Sequence, residues 1–376
     1  MKQCLILASR ASGPALVCDL PYLLKQEEGF QVTVISPPYW QLTHNSFIDI
    51  WIEAGREDQM VIAQAADLIR SSSTPFDLII FGSDELLWTV LDSDLEPSMK
   101  EQFYPINDLS SLSVLEGKIG VSLFCEKMGI LHPPFFIART KEDLLQGGSL
   151  LGLPVMVKIP RSGGGGGVKQ CHTLEELHDV SFNRYPLLMQ KYIEGETISV
   201  EPFYDHSHLK GYNYSKMTLT NSLFGPSVER IFQPYPDLEP LLKQLGSVLG
   251  VNGFLNMSFI QETTSGLHYL IEMDFRPNRW VAYGNFVGVD WLKALSSGEE
   301  RSPSSPKTTR LLRHFPEHFF YSIRSSNLKG VLYWVFNCDY SWKCLPLHDK
   351  KLLFKGIRRF LKKSSFSLLR RMYLID

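Results

Sequence analysis

No stretch of this chain is long and apolar enough to read as a membrane span. The apolar start, Met1 to Ala8, is also too short for a secretory leader. Cysteine is sparse and scattered: Cys4, Cys18, Cys125, Cys171, Cys338 and Cys344 stand singly, with no zinc-finger or redox spacing. That pattern predicts reduced thiols in a cytoplasmic protein rather than a disulfide framework. No G-x-G-x-x-G follows the first predicted strand, so dinucleotide binding finds no support there. A Walker A loop is missing too: Lys169 follows a run of glycines, but no Ser or Thr stands behind it and the next segment reads as a strand.

What is present is an ordinary globular composition. The 376 residues are 44% hydrophobic and 21% charged, enough for two or three domains with buried cores. The net charge of −2 conceals a split. Residues 301–376 hold sixteen Lys/Arg against four Asp/Glu, leaving about −14 on the rest. Such a division marks a segment with a separate task.

Residues 1–112 alternate strand and helix. Strands are predicted at Cys4–Ala8, Gln31–Ile35 and Asp77–Phe81, with helices from Gly13 to Lys25 and from Asp58 to Arg70, so a parallel sheet flanked by helices is expected. Ligands of such sheets sit beyond the strand C-termini. Ser9, Arg10 and Ser12 fall there after the first strand, and Ser83, Asp84 and Glu85 after the third, though each also suits a turn or cap. From Lys118 the pattern predicts a helix to Met128, a strand Phe135–Ala138, a helix Lys141–Leu151, and strands Val155–Ile159, Val168–Cys171 and Leu187–Tyr192. Thr173 with Glu176 fits a capping box between the last two. Further on, Ile198–Tyr204 reads as a strand, Leu238–Leu249 as a helix, and Phe254–Ile260 and His268–Met273 as an antiparallel pair about the turn Thr263–Gly266. Ser297–Thr309 reads as a linker.

Three stretches carry chemistry. Lys158 ends a β-branched strand just before Gly163, Gly164, Gly165, Gly166 and Gly167. Glycine amides can approach a ligand closely, and a row of N–H groups beside a lysine suits a polyphosphate. A floppy hairpin is the bland alternative. Next, Gln190, Lys191, Tyr192 and Ile193 lead out of a strand into an acidic glycine turn. Such a backbone can pair with a purine edge while an acid accepts ribose hydroxyls. Last, Glu272 and Asp274 fall on one face of a strand end, as Mg²⁺ requires, and Mn²⁺ suits the same ligands. Arg276 and Arg279 follow, placed to clamp a phosphoryl or carboxylate group; a surface ion pair of Glu272 with Arg276 is the plain rival.

In this order the motifs resemble the ATP-grasp superfamily, nearest in style to its carbamoyl-phosphate-synthase-like members. The resemblance runs from about Lys118 to Leu295, and more loosely over the strand–helix domain before it. It implies an α/β and α+β chain divided into a Rossmann-like domain (1–112), a small lobe with lead-in helix (113–192), a large lobe with the metal site (193–300) and a basic, aromatic-rich extension (301–376). It implies ATP and Mg²⁺ as cofactors, with Lys118, Lys158 and the glycines on the nucleotide, Gln190 to Ile193 at the base, Glu196 or Glu201 at the ribose, Glu272 and Asp274 on metal, and Arg276 and Arg279 in catalysis. The implied reaction activates a small-molecule carboxylate as an acylphosphate, captured by an amine or other nucleophile; a kinase or a non-catalytic nucleotide-binding scaffold are the other readings. The sequence departs from the family pattern at four places. Asp274 stands where Asn is usual, Ser258 where an acid or Gln is usual, and Gln190 replaces the hinge acid. Thr197 occupies a position where one alignment wants Glu.

The tail Lys350–Tyr373 places Leu353, Ile357, Phe360, Leu361 and Leu368 near helical spacing, with basic residues mostly elsewhere on the wheel. Such a helix suits peripheral contact with an anionic membrane, or docking of its apolar face on the body. No nucleic-acid-binding module accompanies the charge, so none is expected as partner. Phe319, Phe320, Tyr321, Tyr333, Trp334, Phe336 and Trp342 are dense enough to require a surface to fold against.

Overall fold

The computed structural model describes residues 1–9, 19–25, 29–182, 184–296, 302–314, 317–336, 349–352, 354–355 and 358. Arg10 and Ser12, the first half of the helix expected before Lys25, and most of the basic tail with Trp342 lie outside them. Among the described residues no helix is long and apolar enough to cross a membrane.

Strands β1 (Lys2–Leu7), β2 (Phe30–Ser36), β3 (Ile50–Glu53) and β4 (Leu78–Phe81) form a parallel sheet in the order β3-β2-β1-β4. β3 carries no clear sequence signal because its pattern is mixed and its residues are half exposed. Both faces of β1 are buried, as a helix-covered parallel sheet demands: Leu5 and Leu7 pack with Val61, Ala65 and Leu86, while Cys4 and Ile6 join Leu23, Trp280 and Trp291.

The next sheet is small and antiparallel. β5 (Phe135–Ala138), β6 (Val155–Lys158), β7 (Val168–Cys171) and β8 (Leu187–Lys191) lie in the order β5-β8-β6-β7. Helices Lys141–Leu151 and Leu174–His178 cover it, and Val155, Val157, Leu144, Leu177 and Met189 share its core. Thr140 and Asp143 close a full capping box on the first helix. The expected box at Thr173 is only half made. Thr173 accepts from the Glu176 N–H, but the Glu176 carboxylate accepts from the His172 N–H instead.

A larger sheet completes the fold. β9 (Gly195–Asp205), β10 (His208–Thr220), β11 (Ser227–Phe232), β12 (Gly253–Phe254), β13 (Asn256–Glu262), β14 (His268–Asp274) and β15 (Arg310–Arg313) run in the order β14-β13-β9-β10-β11-β15, with β12 also paired to β9. The strand expected at Phe254–Ile260 is thus broken at Leu255. β15 extends the same sheet from beyond residue 301. The helices Glu317–Arg324 and Leu328–Phe336 follow it, and Arg313 both pairs with Glu229 at 2.7 Å and lies 4.2 Å from the Tyr333 ring centroid. Of the aromatic run, Tyr333 thus meets the edge of this sheet, while Phe320 is exposed.

Candidate functional site

The helix Lys118–Met128 begins after Gly117, whose φ of +113° suits glycine, and ends on the left-handed Gly129. Its first side chain is thereby delivered between the two antiparallel sheets. Lys118 Nζ donates to the Ser162 carbonyl at 2.6 Å and pairs with Glu272 Oε1 at 2.8 Å. Lys158, at the end of β6, donates to Gln190 Oε1 on the adjacent β8 at 2.7 Å. That bond orients the Gln190 amide, because an ammonium only donates, and the Gln190 NH₂ reaches Ser122 Oγ at 3.3 Å.

On the opposite side, β13 and β14 pair Asn256 with Asp274 and Ser258 with Glu272. Asn256 Nδ2 donates to Asp274 Oδ2 at 2.9 Å, and Asn278 Nδ2 donates to Asn256 Oδ1 at 3.0 Å. Arg276 bridges two carboxylates: its Nε meets Asp84 Oδ2 at 2.7 Å and its Nη2 meets Asp274 Oδ2 at 2.9 Å. The surface pair of Glu272 with Arg276 is therefore not what forms; Glu272 pairs with Lys118. Asp84 arrives from the first domain, on the opening turn of helix Asp84–Asp92, where Ser83 Oγ caps the Leu86 N–H.

These groups line one cavity of about 750 Å³, within the range of small-molecule sites. Its walls include Lys118, Lys158, Gly163, Gly164, Gly165, the hinge Gln190 to Ile193, Glu272, Asp274, Arg276 and Arg279, together with Ser83, Asp84 and Glu85. Gly166, Gly167, Glu196 and Glu201 do not line it. Glu196 points to a salt bridge with Lys216, and Glu201 is buried against Arg230 at 2.6 Å. Thr197 faces the cavity, so the two acids weighed for a ribose are both engaged elsewhere. Ser9 is buried at the end of β1.

The glycine run is a roof held by contact. Gly164, Gly165 and Gly167 have φ of +62°, +79° and +85°, and Gly166 N–H bonds to Gly163 O at 3.1 Å. A Cβ on Gly165 would sit 2.1 Å from the Phe224 carbonyl oxygen, so the roof meets the β10–β11 loop too closely for any side chain. Gly165→Ala is expected to prop it open and weaken whatever affinity the cavity has for MgADP about tenfold, about 1.4 kcal/mol, measurable by calorimetry. Unchanged affinity would show that this contact plays no part in closure.

Charge is concentrated here. Burial, then the ammonium of Lys118, brings the Lys158 pKa down to about 8, against the pull of Glu272. Burial would raise Glu272, but Lys118 and Lys158 outweigh it and hold the carboxyl below its ordinary value. Asp274 rises to about 7 through burial and the neighbouring Asp84, despite Arg276. Oxygen donors dominate, two carboxylates and an amide share a face, and crowding of Asp84, Glu272 and Asp274 favours an added positive charge. The set fits Mg²⁺, which takes one or two protein carboxylates and completes its shell with phosphates and water. Among the described residues no three His, Cys, Asp or Glu side chains converge into a cage complete by itself.

No family model matches the chain. Its sequence is similar to the carbamoyl phosphate synthase large chain of Thermoplasma acidophilum, 23% identical over 202 residues, which are 49% of this chain and 18% of that one. The chain spans about a fifth of the length of the curated relatives it matches. Among solved structures it superposes on the biotin carboxylase domain of Hydrogenobacter thermophilus 2-oxoglutarate carboxylase, determined with MgADP, ADP and bicarbonate. The TM-score is 0.61 at 18% identity, covering 81% of this chain and 71% of that one. It also superposes on Staphylococcus aureus N5-carboxyaminoimidazole synthetase with ADP, at TM-score 0.62 and 14% identity, covering 88% and 86%. The chain has the ATP-grasp fold. The cavity lies between the two antiparallel sheets of that ATP-grasp fold, under its glycine roof.

Two contributors escaped the sequence. Asp84 was placed only loosely near a ligand, and its pairing with Arg276 spans 192 positions. Arg230 enters the sequence reading only as the end of the stretch Ser215–Arg230, one of three expected to choose the substrates, although it lines the cavity itself.

Proposed function

We propose that this protein is an ATP-dependent ligase that phosphorylates a substrate carboxylate and passes the acyl group to an amine or other nucleophile. The observation that carries this reading is the cavity itself. Two buried lysines and a glycine roof stand on one side, and two carboxylates on a common face stand on the other. A triphosphate between them would meet positive charge at every step, which phosphoryl transfer needs more than covalent assistance.

Lys118 and Lys158 would hold phosphate oxygens, the Gln190–Ile193 hinge the purine, and Arg276 and Arg279 the developing charge. Mg²⁺ held by Glu272 and Asp274 would neutralise phosphate charge. The residues would bring carboxylate and γ-phosphate together and keep water from the acylphosphate. A cytoplasmic setting accords with the buried free thiols of Cys4, Cys125 and Cys171.

Full-length protein with ATP, Mg²⁺ and pooled acids and amines should release ADP and phosphate together, in a manner dependent on one acid and one nucleophile. Ser258, paired opposite Glu272 where a third metal-binding side chain could stand, favours a second reading: nucleotide binding without turnover. MgADP binding with no ADP formation across the panel would select that reading. ADP without free phosphate would select a kinase.

A further inference from the structure

We infer that Arg230 is the receptor for the carboxylate of the acid substrate, an assignment that rests on the nucleotide-binding reading above. Arg276 is poorly available for that task, since Asp84, Asp274 and the Pro277 carbonyl take its hydrogen bonds. Arg230 also donates three hydrogen bonds, but from Nε and Nη1 alone, whereas those of Arg276 use all three nitrogens. It lines the same cavity, yet it is only 2% exposed, so its guanidinium is fixed in place.

The means of fixing it are on β9, β10 and β11. Nε donates to Ser227 Oγ at 2.7 Å, and Nη1 donates to Glu201 Oε1 at 2.6 Å and Ser215 Oγ at 3.3 Å. The guanidinium lies 4.9 Å from the Trp280 ring centroid. Nη2 is left without a partner among the described residues. With Nε and Nη1 engaged and an aromatic ring behind the plane, the two N–H groups of Nη2 are held in a set direction, where carboxylate oxygens can accept from them.

The surrounding charge agrees. Burial, offset by Glu201, and the nearby positive charge of Arg279 together hold the Arg230 pKa below its ordinary value, which places a second guanidinium within electrostatic reach of the same wall. Glu201 is itself steadied by Ser199 Oγ at 2.7 Å on Oε1, while its Oε2 is buried with no hydrogen-bond partner. Glu201 therefore anchors the arginine from behind and offsets its charge, so what an anion in front would meet is the pair of N–H groups on Nη2.

The test uses full-length protein saturated with MgADP and titrated with ¹³C-formate, the smallest carboxylate, followed by NMR line broadening. Wild type should bind formate saturably, Arg230→Lys should bind it several-fold more weakly, and Arg230→Met combined with Glu201→Gln at least tenfold more weakly. The double variant removes charge and partner together, so no buried carboxylate is stranded, and circular dichroism checks its fold. A parallel titration uses inorganic phosphate. Formate binding that is absent, or equal in wild type and both variants, overturns the inference. So does Arg230-dependent binding of phosphate without formate, which would make the group a phosphoryl receptor. Failure to bind MgADP would bring down the nucleotide reading and this inference together, whereas bound MgADP with Arg230-independent formate brings down only the inference.

Discussion

Lys158→Met is expected to lose nucleotide affinity about a hundredfold while making the ligand-free protein more stable. The first effect follows from removing a charge-assisted contact to phosphate, worth about 1.5–3 kcal/mol. The second follows from the shift of this lysine from 10.5 to about 8, a burial cost of about 3 kcal/mol if the side chain must carry its charge at neutral pH. The sign can be followed through the titration. Below about pH 8 both folded and unfolded chains hold the proton, and the folded state bears the full penalty. Between about 8 and 10.5 the unfolded chain binds more protons, so the penalty fades as pH rises. Melting temperatures of wild type and variant should therefore differ at pH 7 and converge at higher pH. In wild type, phosphate would draw the proton back onto Lys158. Binding of MgADP at pH 8 should then take up protons, detected by calorimetry in buffers of different ionisation enthalpy, and affinity should weaken above that pH. A variant no more stable than wild type, with nucleotide binding intact, would place the amine outside the phosphate site.

Glu272→Gln should cost about a thousandfold in turnover, the scale of losing a principal charge-stabilising group. Its carboxylate is the partner of Lys118 at 2.8 Å and one of two acids on the metal-facing side. Neutralising it leaves a buried ammonium unpaired and halves the charge offered to a cation. Asp274→Asn should cost far less, about tenfold. An amide keeps one oxygen donor, and removing its charge relieves the crowding with Asp84 and Glu272 that pushes Asp274 up to about 7. Equal losses in the two variants, measured as ADP release at saturating Mg²⁺, would contradict this ranking.

The contrast shows what could be read from the chain. Lys118, Lys158 and Glu272 were legible because each sits at the end of a regular element with a diagnostic neighbour: a helix start, a glycine run, an alternating strand end. The helix Lys118–Met128 and the strands Phe135–Ala138 and Val168–Cys171 were readable for the same reason, being bounded by glycine, proline or a cap. Arg230 and Asp84 were not, because their place depends on contacts that no local pattern encodes. Arg230 reaches the cavity through the register of β10 against β11, which shifts between Met217 and Leu219. Asp84 reaches it only when the parallel sheet packs on the large lobe. Glu201, offered with Glu196 for a ribose, is buried against Arg230, a contact between β9 and β11 that no local pattern encodes. β15, only four residues long, follows directly on a stretch whose serines, prolines and charges resemble a linker.

Lys118 and Glu272 hold each other at 2.8 Å. Each is the partner the other must give up when a triphosphate takes the ammonium or a divalent ion takes the carboxylate. Arrival of either guest liberates the seat of its companion, so the two should enter with positive heterotropic cooperativity, each raising the other's affinity by the same factor.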